Sequence, residues 1–238
     1  RVAGRFSGPG LPYEGLVTIG AKGTRWNGEV RLVEKHLADP LRWKRPRRVF
    51  VNSMSDLFHE SLPFETIAAV FGVMAASPKH TFQVLTKRPK RAKEFFEWAP
   101  NLIEMAGLAD ELIAKSVGMP GKLARRLYGH FDDESGETPV TWPLPNVWLG
   151  VSVEDQATAD ERIPLLLECP AAVRWVSYEP ALGHVDFDAV QIQLERPGLR
   201  FSALTRAHDD RFGSSDTPLD WIVVGGERGP GARPRQRA

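Results

Sequence analysis

Short apolar runs that end in polar residues alternate along this chain with stretches of helical spacing. Five runs have the β-branched and aromatic content and the length of buried strands: 48–52, 81–85, 146–151, 173–176 and 220–224. Apolar residues three and four apart predict helices over 64–76, 90–98, 157–167 and 101–130, the last with a break at 118–121. Strands that are each followed by a helix or a long connection are typical of an α/β fold.

The remaining segments are less regular. Gly- and Thr-rich residues 11–33 predict a hairpin or loop, and residues 34–44 predict a short helix that ends before Pro46. Residues 184–218 predict a long loop with a short helix. We expect two segments, 99–143 and 184–218, to be insertions or substrate lids.

The strand pattern also predicts an architecture. Helical connections imply parallel strands with right-handed crossovers, and strands that are apolar on both faces imply covering helices. An eight-stranded barrel needs roughly 250 residues. The 238 residues begin with Arg1 rather than Met and end in a basic stretch. We therefore predict an incomplete TIM-type (β/α) barrel, a single domain over residues 1–238 that is truncated at both termini.

Composition narrows the function classes. Lysine plus arginine number 31 and aspartate plus glutamate 30, so the net charge of +1 excludes a global field that steers the chain to nucleic acid or membrane. A local basic patch stays open. No apolar run approaches the roughly 18 residues of a membrane span, and we expect a cytoplasmic protein. Cys169 is the sole cysteine, so these residues alone form no disulfide, cysteine-ligated cluster or cysteine zinc site.

Polar residues follow each predicted strand. In α/β folds ligands bind beyond the carboxyl ends of the strands, so these residues are expected to converge on one face. They are Asn52, Ser53, Asp56, Thr86, Lys87, Arg88, Ser152, Glu154, Glu179 and Glu227. The carboxylates are suited to accepting hydrogen bonds from a ribose or amine, abstracting a proton or binding a cation. The alternative is that each one pairs with a lysine or arginine or caps the next helix.

Two of the strand ends carry groups that are suited to binding an anion. Lys87 and Arg88 would hold a phosphate or carboxylate, or else oppose nearby glutamates. Gly225 and Gly226 would form an anion nest, or else a tight turn. The sequence contains neither the dinucleotide-binding fingerprint nor a P-loop, HExxH or GxSxG motif, and we predict no metal ligands.

Five sequence motifs that include the strand ends resemble those of a known family. The motifs are VFVNSMSDLFHE (49–60), TFQVLTKRP (81–89), PNVWLGVSVEDQATADERIPLL (145–166), RWVSYEP (174–180) and LDWIVVGGERGPGARP (219–234). In this order they closely resemble a phage- and prophage-associated family that is largely uncharacterised. That family resembles radical S-adenosylmethionine enzymes in fold.

The resemblance implies a cofactor whose binding site is not completed by these residues. Family members usually carry a loop of three cysteines, which in radical enzymes holds a [4Fe–4S] cluster, just before a stretch like residues 1–6. The chain begins after the place of that loop, so we expect S-adenosylmethionine and the cluster in the full-length member and an inactive fragment here. Tyr178 stands where we expect a small residue and Arg228 where we expect serine.

The resemblance also implies roles for the strand ends. Asn52, Ser53, Ser55 and Asp56 would hold the amino and carboxylate groups of S-adenosylmethionine, Ser152 and Glu154 its ribose, and Gly225 and Gly226 would lie beside it. Glu179, Glu227 and Lys87 would be catalytic, and Thr86, Arg88 and Tyr178 would contact substrate. The implied activity is reductive cleavage of S-adenosylmethionine to act on an unknown substrate, with a nucleotide or nucleic acid as one possibility.

Two other functions stay open. A non-catalytic, nucleic-acid-associated or partner-binding barrel would be favoured by a continuous basic surface joining residues 87–91 with residues 42–48. A divalent-metal enzyme that uses the strand-end carboxylates would be favoured by three oxygen ligands within roughly 2.0–2.6 Å of one point.

Overall fold

The computed structural model describes residues 2–11, 13–21, 23–117, 141–191, 200–204 and 218–226. The chain divides into two compact units, Arg1–Val33 and Glu34–Ala238. In the first unit a short helix α1 (Val2–Arg5) precedes a hairpin of β1 (Val17–Gly20) and β2 (Gly23–Trp26). This confirms the hairpin predicted within residues 11–33.

The second unit is built on one sheet of five parallel strands. A 3-10 turn (Glu34–His36) and helix α2 (Asp39–Arg42) lead into β3 (Arg48–Val51), which is followed by α3 (Phe64–Ala75), β4 (Thr81–Thr86), α4 (Pro89–Trp98), α5 (Leu102–Val117) and β5 (Val147–Ser152). Then come α6 (Gln156–Leu167), β6 (Val173–Tyr178), β7 (Val190–Gln191), β8 (Arg200–Phe201) and β9 (Trp221–Val224). All five predicted strands and their parallel pairing are confirmed.

The order of strands in the sheet is β3-β4-β5-β6-β9, so strands of this sheet that follow one another along the chain also lie side by side. Among the described residues β3 and β9 are the two edges, and no ladder joins them into a closed barrel. The finding is therefore an open, parallel α/β sheet. Within the predicted loop at 184–218, the two short strands β7 and β8 pair antiparallel with each other.

The two faces of the sheet differ in burial. Along β4 the side chains of Phe82, Val84 and Thr86 are buried, whereas Gln83 and Leu85 are half-exposed. Side chains alternate between the two faces along a strand, and residues paired in register lie on the same face. The neighbouring strands β3 and β5 therefore share the buried and the less buried face of β4. The less covered face carries rings that touch: Phe50 with Trp175 at 6.1 Å between centroids, Trp175 with Trp221 at 5.7 Å and Trp148 with Trp221 at 5.9 Å. We call these four side chains the aromatic face.

Helix α3 packs closely on α5. A Cβ atom on Gly72 would lie 2.4 Å from the carbonyl oxygen of Met105, so only glycine allows the two backbones to approach this far. Phe58, Phe71 and Phe95 fill the space beside them with contacting rings, and all three are buried. None of the described helices is both long and apolar enough to cross a membrane.

His80 joins the amino edge of the sheet to the segment before β3. Its Nδ1 accepts a hydrogen bond from the backbone N–H of Arg47 at 3.1 Å, and its Nε2 donates to the carbonyl of Pro40 at 3.0 Å. The ring of Trp43 packs edge-on against the imidazole, which is 1% exposed. The neutral tautomer with its proton on Nε2 satisfies both partners.

Acid is expected to destabilise the protein through His80. Burial lowers the pKa of His80 below 6.5; the hydrogen bond to Pro40 opposes this shift, and the charges of Lys79 and Arg47 add to it. The unfolded chain therefore takes up the proton first, so stability is complete above pH 6.5 and falls as the pH drops toward the lowered pKa. In His80→Gln the amide would keep both hydrogen bonds without titrating. Melting temperatures at pH 7.5 and 5.5 should fall more in the wild type than in this variant; equal falls would contradict the prediction.

Candidate functional site at the carboxyl edge of the sheet

The carboxyl ends of the five strands form a continuous, hydrogen-bonded edge. The loop after β6 bonds to the end of β5, because the N–H groups of Leu182 and Gly183 donate to the carbonyl of Glu154 at 2.9 and 3.2 Å. The end of β9 bonds to the end of β6, because the N–H of Gly225 donates to the carbonyl of Tyr178 at 3.2 Å. We call this the strand-tip edge. It includes Asp56, Lys87, Glu154, Glu179 and Gly225.

Asp56 connects the end of β3 to the end of β4. Its Oδ1 accepts from the hydroxyl of Thr86 at 2.8 Å and from the N–H of Phe58 at 3.0 Å. Its Oδ2 accepts from the N–H of Lys87 at 3.0 Å and from Arg88 Nη1 at 3.2 Å. The side chain is 12% exposed. Four donors therefore occupy a carboxylate that is largely removed from water.

Arg88 continues this network outward. Its Nε donates to Glu60 Oε1 at 2.9 Å, so one guanidinium bridges Asp56 and Glu60. Burial opposes the charge, but the hydrogen bonds and charges of Glu60 and Asp56 outweigh it and raise the pKa of Arg88 above its ordinary value. The predicted substrate residues Thr86 and Arg88 thus lie together with Asp56, and Glu60 is a partner that the sequence reasoning missed.

Glu154 lies between two cations at the end of β5. Its Oε1 accepts from Lys87 Nζ, and its Oε2 accepts from Arg162 Nη1 at 3.0 Å. The side chains of Glu154 and Arg162 are 13% and 14% exposed, whereas that of Lys87 is 56% exposed. The pair with Arg162 is therefore the sheltered one, and Lys87 is the partner that can leave.

Arg162 was not predicted from the sequence. It extends from α6 back to the end of β5, where its Nη1 also donates to the carbonyl of Ser152 at 2.8 Å. The helix begins at a capping box, in which the carboxylate of Asp155 accepts from the N–H of Thr158 at 2.9 Å. The signal was present in the chain: position 162 lies seven residues, about two helical turns, after the cap residue and so on the same face.

The ends of β6 and β9 meet at Glu179 and Gly225. A Cβ on Gly225 would lie 1.8 Å from Glu179 Oε1, so the carboxylate rests directly on the glycine backbone. Tyr178 is buried, its hydroxyl donates to the carbonyl of Gly183, and its ring contacts Phe187. Ser152 is buried and pairs in register with Ser177.

The residues after β3 are more open. Asn52 adopts a left-handed backbone with a φ of 61°, and its carbonyl accepts from the N–H of Ser55 at 3.2 Å in a tight turn. Ser53 and Ser55 are exposed, and Gly226 is half-exposed beside Gly225. Glu227, predicted as catalytic, and Arg228 lie outside the described residues.

A family model covers almost all of this architecture. A family described as a protein of unknown function, DUF5131, matches residues 4–238. The chain belongs to the DUF5131 family. This confirms the expected membership of an uncharacterised family, while the phage association and the relation to radical S-adenosylmethionine enzymes stay predictions. Comparison with curated proteins found no match, and neither did comparison with solved structures.

The described part of this DUF5131 chain holds no cluster of three histidine, cysteine, aspartate or glutamate side chains that could bind a metal ion. At the strand-tip edge, Asp56 and Glu154 are instead bonded to lysine and arginine groups. The ligand set that the divalent-metal hypothesis requires is therefore not assembled by these residues.

Cys169 lies at the opposite end of the sheet, between α6 and β6. It is buried, and its Sγ lies 3.2 Å from the carbonyl of Leu165 as a hydrogen-bond donor. Burial raises the pKa of the thiol to about 12. Since the thiolate is the form that reacts and binds metal, this cysteine is unsuited to either role.

We expect Cys169 to resist modification in the folded protein. Ellman's reagent should release almost no thionitrobenzoate from the native DUF5131 chain at pH 8, and one equivalent after guanidinium unfolding. Cys169→Ala gives the background in both conditions. Rapid release of a full equivalent from the native chain would contradict the burial of this thiol.

Proposed function

We propose that the strand-tip edge binds S-adenosylmethionine, and that a gene product which also supplies three cysteines cleaves it reductively to act on a further substrate. The observation that supports this is the strand order. The five parallel strands that the structure describes follow one another without a reversal, so this part of the sheet has no switch-point crevice of the doubly wound kind. In a sheet wound in one direction, as in barrels, the ligand site is the carboxyl edge.

The side chains at this edge suit the polar groups of that ligand. Lys87 is 56% exposed, and an exposed ion pair is worth only about 0–1 kcal/mol, so a ligand hydroxyl can displace it from Glu154. The carboxylate would then accept from the ribose, while Arg162 keeps it in place. The released Lys87 would neutralise the carboxylate of the amino-acid part.

Asp56 has a different place in this proposal. Because its two oxygens already accept four hydrogen bonds, we assign it to positioning Arg88 and the β3 turn rather than to ligand contact. Ser53 and Ser55, which are exposed on that turn, are the groups that would face the ligand.

An iron–sulfur cluster does not fit the cysteine content of these residues. The chain has one cysteine, and that thiol is buried at the other end of the sheet with a raised pKa. Three thiolates would have to come from outside these 238 residues. We therefore derive no reaction step at a cluster here.

Binding and chemistry are tested separately. Isothermal titration calorimetry of the 238-residue chain should detect S-adenosylmethionine and S-adenosylhomocysteine, and Glu154→Gln should weaken both about tenfold or more, which corresponds to about 1.4 kcal/mol. Glu111→Gln, an exposed change on α5, should leave binding unchanged. A folded chain that binds neither compound would refute the binding proposal.

Testing the chemistry requires a gene product that carries a three-cysteine loop. After anaerobic reconstitution with iron and sulfide, we expect a broad absorption band near 400 nm and release of 5′-deoxyadenosine when S-adenosylmethionine and reductant are added. A protein with an intact cysteine loop that gives neither band nor product would refute the radical chemistry.

The continuous basic surface joining residues 42–48 with residues 87–91, which would favour a non-catalytic, nucleic-acid-associated barrel, is not formed by these two groups. Residues 42–47 precede β3 at the amino edge of the sheet and Arg48 is its first residue, whereas residues 87–91 follow the carboxyl end of β4. Six strand residues at about 3.3 Å each separate the two groups by roughly 20 Å. Lys87 and Arg88 are moreover paired with acids.

A further inference from the structure

Among the residues that the structure describes, one segment of the second unit carries the densest run of exposed basic side chains. Five of the seven residues at 42–48, Arg-Trp-Lys-Arg-Pro-Arg-Arg, are basic, and all five are exposed. We call this the basic segment. In the part of the chain that the structure describes, its single ion pair is between Arg42 and Asp39 at 4.0 Å. Lys87, Arg88, Lys93 and Arg162, in contrast, all pair with nearby carboxylates.

The basic segment is held in place rather than loose. The N–H of Arg47 donates to the buried His80, and the carbonyl of Pro40 accepts from the same ring. The Arg47 guanidinium lies over Trp43 at 4.7 Å from the ring centroid. Anchoring of this kind fixes the backbone before any ligand arrives, so less conformational entropy is lost on binding.

We propose that the basic segment is a docking surface for duplex DNA, contacted through its phosphate backbone without reading of the base sequence. This surface lies at the amino edge of the sheet and is separate from the strand-tip edge. Duplex DNA carries one negative charge per about 1.7 Å of axis, a density that matches five cations within seven residues. Arginine guanidinium groups also bind phosphate through two hydrogen bonds at once.

Two observations favour a duplex over other polyanions. A single strand is usually bound by stacking its bases on open aromatic rings, but Trp43 is already covered by Arg47 and by His80. An anionic membrane is usually bound with apolar side chains inserted beside the charges, and residues 42–48 contain no Leu, Ile, Val, Met or Phe side chain that could insert. The helix that adjoins the segment, α2, has only four residues, too short to read a groove.

The test is fluorescence anisotropy with a fluorescein-labelled DNA duplex of about 20 base pairs. Five phosphate contacts would lower the affinity about 10²–10³-fold between 50 and 200 mM potassium chloride. Lys44→Glu/Arg45→Glu should weaken binding at 50 mM salt by at least about tenfold and reduce the slope of log affinity against log salt by about 2.

The matched control is Lys90→Glu/Lys115→Glu, which changes the net charge equally at two exposed lysines elsewhere in the unit. This variant should keep duplex binding within about twofold, and circular dichroism melting should show both variants folded. Equal losses in the two variants would mean a general charge effect and would overturn the proposal. It would also be overturned by tighter binding to single-stranded DNA, to poly-glutamate or to vesicles containing 30% phosphatidylserine.

Discussion

Asp56→Ala is expected to lower the free energy of unfolding by about 3 kcal/mol, because removing one partner of a largely buried ion pair leaves the other unsatisfied. The donors left behind are the Thr86 hydroxyl, the N–H groups of Phe58 and Lys87, and Arg88 Nη1. Urea unfolding should show the loss as a lower midpoint with an unchanged m-value, since the surface exposed on unfolding stays the same.

Asp56→Asn makes this prediction sharper. Its carbonyl oxygen can still accept from Thr86 and Phe58, but its amide N–H groups would face the Lys87 N–H and Arg88, which are also donors. We expect a loss between that of the alanine variant and zero. Glu111→Ala, an exposed acid on α5, should stay within about 0.5 kcal/mol of the wild type. An alanine variant at position 56 that is equally stable would show that the network contributes nothing to folding.

Much of the sheet was predictable because burial leaves a local pattern in the sequence. The runs at 81–85 and 146–151 differ by one or two residues from the observed strands Thr81–Thr86 and Val147–Ser152. Helix α3 was predicted over 64–76 and ends at Ala75. Each of these elements buries its apolar side chains on neighbours whose presence the periodicity already implies.

Closure of the sheet was not predictable in the same way. Whether two edge strands meet depends on strand number, tilt and stagger, which no single run of residues encodes. The prediction of an incomplete barrel rested on length and on the resemblance, and the described strands form an open sheet with β3 and β9 at its edges. The α/β arrangement, parallel strands with helices between them, is the part of that prediction that the structure confirms.

The position of the candidate site was predictable from the sequence, but the ion-pair partners of its side chains were not. Sequence reasoning placed Asp56, Lys87 and Glu154 at strand ends, and the structure brings all three to one edge. The alternative that the acids pair with cations describes Asp56 and Glu154 correctly. Arg162 was missed because its contact with Glu154 spans eight residues and depends on how α6 lies against β5. The place of Arg162 two helical turns after the cap residue indicates its face of α6, but not which strand that face meets.

Gly150→Ala is expected to destabilise the protein by about 2–3 kcal/mol, because the added methyl group would overpack the sheet. A Cβ at position 150 would lie 2.5–2.6 Å from three indole atoms of Trp175. Trp175 is 3% exposed and is held between Phe50 and Trp221, so the ring has little room to move away. The glycine therefore allows the indole to lie on the strand and completes the aromatic face.

A double-mutant cycle separates this steric conflict from a general cost of mutation. Trp175→Leu alone should also destabilise, through lost burial, but it removes the ring that the new methyl group would meet. The double variant should therefore be more stable than the sum of the two losses implies, by about 1–2 kcal/mol.

The matched control is Gly107→Ala in α5, where an added Cβ meets nothing within 4 Å. There the change should raise stability by about 0.5–1 kcal/mol, because alanine favours a helix over glycine. Additive losses at positions 150 and 175 would show that the indole does not rest on Gly150, and the aromatic face would need a different arrangement.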